Sequence, residues 1–347
     1  MKKRFLAIIA TMLALFLTVF ASGCDACAGD TTLYFSNNFY KGGASQPPSS
    51  EYREDFYYTV EFIDKYETIE KDSLLKNQEV DYDFSGTYEM HFTANANTQN
   101  LNTSVEIPEN ASIYALTTKL NLNAWYKVSG TYADGGEDFN DGKTYKDVLE
   151  STVYFLPAGY GFAPLYSVTK QTYTSLYFVK DKFDVKRTEY NVETIYENSS
   201  YNTNISGSLD RSFTGEYKFK SSIDNAELLF ALRSFEIEEE RTKKISVISP
   251  AYNAPQSLIV RNEREYTETF ALDNNEPIGI PVKKYSMYRD DRFNMGITQY
   301  FTIQKVSEET PNEKALLLEY ISPLCTNGST YTMGAIKYTL DKTTNQA

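Results

Sequence analysis

Apolar and polar residues alternate with a period of two along most of the chain. Phe84–Thr93 places Tyr88, Met90 and Phe92 on one parity. Val185–Tyr196 opposes Val185, Arg187 and Glu189 to Lys186, Thr188 and Tyr190, and Val192, Thr194 and Tyr196 extend the second set. Alternation of this kind marks strands with one dry face and one wet face, as in an antiparallel sheet. Two strands are predicted at Ser112–Leu122 and Ala124–Tyr132, joined near Asn123. In the second, Trp125 and Lys127 face away from Tyr126 and Val128. Lys146–Phe155, Leu165–Thr174 and Ser175–Val179 follow. Phe56–Tyr66 fits a helix on Phe56, Val60 and Ile63, or a strand on Tyr58, Val60 and Phe62. Its β-branched and aromatic content favours the strand. Later runs at Ile245–Ile248, Ser257–Val260, Glu265–Leu272, Ile278–Tyr288, Ile297–Gln304, Lys314–Ile321 and Thr330–Leu340 are punctuated by Pro250, Pro255, Pro277, Pro281, Pro311 and Pro323.

One stretch breaks the period. Asp224–Phe235 predicts a helix, with Asp224 as its cap and Glu227 completing a capping-box pair. Ala226, Leu228, Leu229, Phe230, Ala231, Leu232 and Phe235 spread apolar surface around most of it, so it belongs inside the protein. The charged run Glu236–Lys244 reads as a solvated turn or edge. Helices and strands do not alternate over any length, which excludes a doubly wound parallel sheet. Ser85-Gly86-Thr87-Tyr88, Ser129-Gly130-Thr131-Tyr132 and Thr214-Gly215-Glu216-Tyr217 resemble one another, but their irregular spacing is not that of a repeat array. The expected fold is mainly β: one large, curved antiparallel sheet, half-barrel-like, wrapped around one buried helix near 224–235.

The N-terminus is built differently. Lys2, Lys3 and Arg4 precede an apolar run, Phe5–Phe20, and then the small residues Ala21, Ser22 and Gly23 before Cys24. This order is that of a secretory signal peptide. The run of about 16 residues is short of the roughly 20 a spanning helix needs, and no charged stop follows it. An uncleaved anchor and a plainly secreted chain are the competing expectations. Ala21-Ser22-Gly23-Cys24 resembles the lipobox of bacterial lipoproteins, with Ala21 where that family more often carries Leu. The resemblance implies removal of residues 1–23, diacylation of Cys24 and a membrane partner through that lipid, with localisation on the extracytoplasmic face of the cell membrane. In a host with two membranes, Asp25 resembles the signal for retention at the inner one. Residues 24–50, with Gly42-Gly43 and Gln46-Pro47-Pro48-Ser49-Ser50, then read as a tether. As a random coil this length spans about 28 Å root-mean-square. Residues 51–347 form the β-rich domain.

Composition narrows the partners. The formal charge is −13, and −16 once the three cations of the leader are gone, with no basic stripe to offset it. Nucleic acid is therefore not expected as a partner. A 41% hydrophobic chain affords a packed core. Tyr (29) and Phe (21) far outnumber the single Trp and single His, which suits either a β-rich extracellular protein or a binding face paved with Tyr. Cys27 and Cys325 allow a disulfide outside the cytoplasm, but it would pin the tether to the body, so two free thiols are expected. No Cys spacing suits a metal, and no cofactor is expected.

The candidate chemistry is thin. His91 stands alone, opposite in parity to Tyr88, Met90 and Phe92, and no Gly-x-Ser-x-Gly elbow accompanies it. Zinc hydrolysis typically needs two or three histidines. Carboxylate pairs of the glycosidase kind are too numerous among 47 acids to choose between. The loop Asp134–Gly142 offers oxygen ligands in the manner of a Ca²⁺ site but departs from the EF-hand, and a solvated hairpin accounts for it equally. Phe155–Tyr166 is apolar yet broken by Pro157, Gly159, Gly161 and Pro164. It reads as a buried crossover or as a flap over an apolar groove, with Tyr160 and Phe162 as its ligand contacts and Leu228 and Leu232 opposite on the helix. In architecture the body resembles the half-barrel carriers of the bacterial envelope, of the LolA, LolB and LppX type. That resemblance implies a non-enzymatic protein that binds or carries an apolar ligand in its curved sheet. A structural or interaction module with a self-filled core, and more distantly a carboxylate hydrolase, are the other functions the residues leave open.

Overall fold

The structure, a computed structural model, describes residues 52–63, 78–96, 101, 103–107, 111–130, 140–156, 162–179, 182–218, 222–234, 237–250, 253–273, 275–290, 298–306, 315–325 and 332–346. The leader, Cys24, Cys27, the tether, Tyr160 and residues 131–139 lie outside these. The described residues form one sheet of fifteen strands. The first half comprises β1 (Arg53–Ile63), β2 (Gln78–Thr93), β3 (Tyr114–Gly130), β4 (Thr144–Leu156), β5 (Ala163–Val179), β6 (Lys182–Tyr196), β7 (Ser200–Gly207) and β8 (Arg211–Glu216). The second comprises β9 (Ser222–Asp224), β10 (Thr242–Ile248), β11 (Gln256–Phe270), β12 (Ile278–Arg289), β13 (Gln299–Gln304), β14 (Leu317–Cys325) and β15 (Thr332–Gln346).

The first and last strands meet at the centre of the sheet, with Arg53 opposite Gln346 and Ile63 opposite Ala335. From there β1–β8 step outward in chain order, and β15–β9 step outward the other way. Every pair is antiparallel except β9 with β10. The two edges, β8 and β9, are neighbours in sequence. Glu216 to Ser222 can span at most about 20 Å, whereas fifteen strands laid flat at about 4.8 Å each would be some 70 Å wide. The sheet must therefore curl until its edges approach, although they do not pair. The result is a curved, open sheet of the half-barrel kind expected from the sequence.

The interior is filled from both sides of the central seam. Phe56, Tyr58 and Val60 of β1 join Tyr88, Met90 and Phe92 of β2 in one buried cluster with residues of β3, β4 and β10–β15. The helical segment lies in the middle of that cluster. It begins where expected: Asp224 accepts from the Ala226 N–H, and Glu227 accepts from the Asp224 N–H, closing the capping box. Only Leu228–Ala231, here α1, is α-helical, between 3₁₀ turns at Asn225–Glu227 and Leu232–Ser234. Ser234 Oγ donates to the Ala231 carbonyl at 2.6 Å, taking an acceptor that another turn of helix would have used. Phe230 stacks on Phe92 with centroids 4.8 Å apart.

A buried ion pair fastens this segment. The Arg233 side chain is fully buried, and its Nη1 lies 2.8 Å from Glu54 Oε2. Its Nε donates to the Ala315 carbonyl at 2.8 Å, and its guanidinium sits 4.4 Å from the Phe56 ring centre. Tyr52 Oη donates to the other Glu54 oxygen. A desolvated pair is tolerated only with such additional hydrogen bonds.

The structure corrects several expected boundaries. Ser112–Leu122 and Ala124–Tyr132 are one strand, β3, and Asn123 is simply an exposed in-line residue paired with Ser85 and Lys146. Leu165–Thr174 and Ser175–Val179 merge in β5. Ser257–Val260 and Glu265–Leu272 merge in β11, where a register shift between Asn262 and Arg264 absorbs the irregularity. Pro281 and Pro323 lie inside strands, not between them. Lys305 N–H donates to the Pro281 carbonyl, and Pro281 has no N–H to return, so the β12–β13 ladder ends there. Pro323 pairs with Ala335 on one side and lies past the end of β13 on the other. The charged run is a turn through Glu240, but Thr242–Lys244 already belong to β10.

Candidate functional site

Cross-strand register puts residues of successive strands in rows on the inner face. One row runs Phe92, Leu116, Val153, Ser167, Thr194, Thr203. A second runs Tyr88, Leu120, Leu149, Gln171, Tyr190. Both rows change character at the same place. Up to β4 they are apolar, and all but Leu149 are closed over by the core; from β5 onward they carry hydroxyls, an amide and a phenol.

A pocket of about 190 Å³ lies over this second part. Its floor is the inner face of β4–β7. Its far walls are Asp224, Asn225 and Ala226 at the start of the helical segment, with Pro250 beyond, and Leu209 and Arg211 stand at its exposed rim. The hydroxyls of the floor are partly paired across the strands: Ser151 with Thr169 at 2.8 Å, and Thr194 with Thr203 at 3.1 Å. Tyr173 and Tyr190 lie side by side with centroids 6.0 Å apart. Gly207, in register beside Tyr190, has φ +121°, and a Cβ there would sit 2.4 Å from the Glu189 carbonyl oxygen. Glycine is thus required where β7 leaves β6.

Asp224 is the charged group of the pocket wall, and it is buried. Tyr196 Oη donates to its Oδ2 at 2.5 Å, and the Ala226 N–H donates to Oδ1 at 2.7 Å. Burial pushes its carboxyl above the ordinary range, against the opposing hydrogen bonds from Ser167, Tyr196 and Ala226. Glu227, fully buried behind it, is raised well above its usual value by burial and by the nearby Asp224 charge. Glu227 Oε2 has no partner among the described residues. These two acids serve the helix start through their capping hydrogen bonds.

The residues singled out in the sequence fall elsewhere. Leu228, Leu232 and Phe162 are buried in the main core cluster, and none lines the pocket. Phe162 packs on Phe155 at 5.6 Å and on Phe230 at 6.4 Å. Cys24 and Tyr160 lie outside the described residues. His91 is on the outer face, with Nδ1 2.8 Å from Asp55 and Nε2 3.4 Å from Glu89. Of the Ca²⁺-like loop only Asn140, Asp141 and Gly142 are described. Asp141 there accepts from the Lys143 N–H and from Tyr145 Oη. Among the described residues no group of three or more His, Cys, Asp or Glu is placed to hold a metal ion, and no helix is long and apolar enough to cross a membrane. Cys325 ends β14, and its possible partner Cys27 lies outside the described residues. The pocket residues themselves carry one signal in the sequence, a Ser/Thr-rich alternation in Ser151, Ser167, Thr169, Gln171 and Thr194, which looks like a wet outer face until the register is known.

No family model matches the chain, and no curated protein matches it. Among solved structures, the chain is similar to a crystal structure of a beta-barrel-like protein of domain of unknown function DUF1849 from Brucella abortus, at 9% identity and a TM-score of 0.41. The alignment covers 86% of this chain and 99% of that one.

Proposed function

We propose that this chain is a membrane-tethered extracytoplasmic lipoprotein that binds or carries, without catalysis, an apolar-bodied ligand in its curved sheet. The observation that carries the binding half is the pocket between the inner face of β4–β7 and the start of the helical segment. The tether half rests on the order of charge, apolar run and small residues that ends at Cys24. The half-barrel carriers of the LolA, LolB and LppX type hold acyl chains on the concave face. Here the central part of that face is occupied by the chain's own Phe230, Leu232 and Phe162, so the seat lies to one side, and it is small. Two acyl chains on Cys24 would hold the protein at the bilayer, whereas one would leave it exchanging.

The same filled centre favours a second function, an interaction module of the envelope. Solvent extraction of the protein purified from its own host, followed by mass spectrometry, separates the two. A co-purifying small molecule that is lost when Val192→Trp fills the pocket supports binding. An empty extract favours the module. Intact mass tests the tether: a chain beginning at Cys24 with a diacyl adduct supports it, and a chain beginning elsewhere ends it.

A further inference from the structure

We infer that the pocket takes the neutral, six-membered polyol ring of a hexose, an assignment that rests on the pocket being the binding seat proposed above. Size comes first. At about 190 Å³ the pocket is somewhat larger than the roughly 150 Å³ cavity that holds a benzene ring, and smaller than the roughly 300–1,000 Å³ of sites for larger ligands. That volume is room for one six-membered ring.

The walls then select the kind of ring. Leu149, Val192 and Ala226, with the Tyr173–Tyr190 pair, give apolar surface suited to the C–H faces of a ring. An all-apolar ring would leave the rest of the wall desolvated without partners. Gln171 and Asn225 present amides, each with donors and an acceptor, and the described residues offer neither side chain a partner. The Ser151–Thr169 and Thr194–Thr203 pairs use only part of their capacity, since each hydroxyl has two lone pairs. Groups that both donate and accept, set around an apolar patch, match a ring whose every hydroxyl does the same. Charge argues against ions of either sign. A cation would pass Arg211 at the rim, and an anion would meet Asp224 in the wall. The same ring can arrive free or as the head of a glycolipid, and both present the same hydroxyls.

The test uses the full chain, extracted from host membranes into lauryldimethylamine oxide, a detergent without sugar. Saturation-transfer NMR and titration are run with methyl β-D-glucopyranoside, methyl β-D-galactopyranoside, cyclohexanol and phenol. A glycolipid carrying the same hexoses in vesicles forms a separate arm. The expected result is binding of a glycoside, or of the glycolipid alone if the ring is read as a headgroup, weakened about tenfold by Gln171→Leu, the loss of one hydrogen-bonding group. Thr169→Val serves as the second variant should Gln171→Leu fail to fold. Tighter binding of cyclohexanol or phenol than of any glycoside, or glycoside binding unmoved by both variants, overturns the sugar assignment and leaves the pocket as the seat of another ring. No binding of any probe overturns both.

Discussion

One cross-strand row separates two regimes within a single sheet. In Phe92, Leu116 and Val153 it is dry, with Phe230 stacked on Phe92; from the next strand on, in Ser167, Thr194 and Thr203, it carries hydroxyls beside an open pocket. The strands that carry the row are antiparallel from β2 to β7, and the one register shift near the change, between Tyr154 and Phe155, lies beyond the Val153–Ser167 pair. Coverage makes the difference. The helical segment is only one α turn between two 3₁₀ turns, so it roofs the sheet from β1 to the Phe155 end of β4 and leaves the rest of β4 and β5–β7 with its capped end alone. Apolar side chains occupy the row where a roof exists to pack on, and hydroxyls where it does not. Stability and binding are thereby assigned to different parts of one face.

The largest break in that comparison should come from Glu54→Ala. It leaves Arg233 charged and buried with its principal partner gone and also strips Tyr52 of its acceptor. Removal of one member of a buried pair typically costs about 3–5 kcal/mol, and urea unfolding should show a loss of that order. An effect below about 1 kcal/mol would mean that the roof is not fastened there.

A matched pair of truncations sharpens the contrast. Leu232→Ala removes a fully buried side chain under the roof and should cost about 2–5 kcal/mol. Ile205→Ala, half-buried on the pocket floor, should cost under about 1 kcal/mol because no closed cavity is left behind. Equal losses would erase the distinction between the two halves of the face.

The boundary between them should respond to pH. Asp224 and Glu227 have folded-state values raised above their ordinary ones, chiefly by burial. For such acids the folded state holds protons that the unfolded state has released. Their contribution is complete below the ordinary carboxylate range, near 4, and is lost as pH rises toward the raised folded values. Glu227→Gln keeps an oxygen for the Asp224 N–H and removes the charge. The drop in urea midpoint from pH 5 to pH 8 should therefore be smaller in this variant than in the parent, and an unchanged drop would place Glu227 in its ordinary range.

The sequence revealed the dry half far better than the wet one, for physical reasons. Phe56, Tyr58 and Val60, or Tyr88, Met90 and Phe92, announce an inner face because apolar residues at alternate positions have one destination. Asp224 and Glu227 announce a helix start because a capping box satisfies two N–H groups at a fixed spacing. Ser151, Thr169 and Gln171 announce nothing, since a polar residue at an alternate position belongs by default to the outer face. Only the pairing of Val153 with Ser167 shows that they point inward. β7 and β8 escaped notice because Asn202, Asn204, Ser212 and Thr214 fill one face, while Thr203 and Arg211 interrupt the apolar Tyr201, Ile205 and Phe213 of the other. Leu228 and Leu232 were legible as buried, but burial against the chain's own rings cannot be told in sequence from burial against a ligand.

The smallest predicted effect tests how completely the dry half is packed. Tyr338, inside β15, is almost wholly buried, its ring meets Tyr88 at 5.4 Å and Tyr320 at 5.6 Å, and its hydroxyl has no partner among the described residues. Burial and the neighbouring Tyr320 and Tyr88 phenols raise its pKa well above the usual value, so it stays neutral through the whole working range of pH. An unpaired buried hydroxyl costs its desolvation and returns nothing. Tyr338→Phe keeps the ring contacts and removes that cost. It should leave the urea midpoint unchanged or raise it, by no more than about 1–2 kcal/mol in stability. A loss of more than about 1 kcal/mol would mean that the hydroxyl is bonded in solution, and hence that the dry half of the face also admits water.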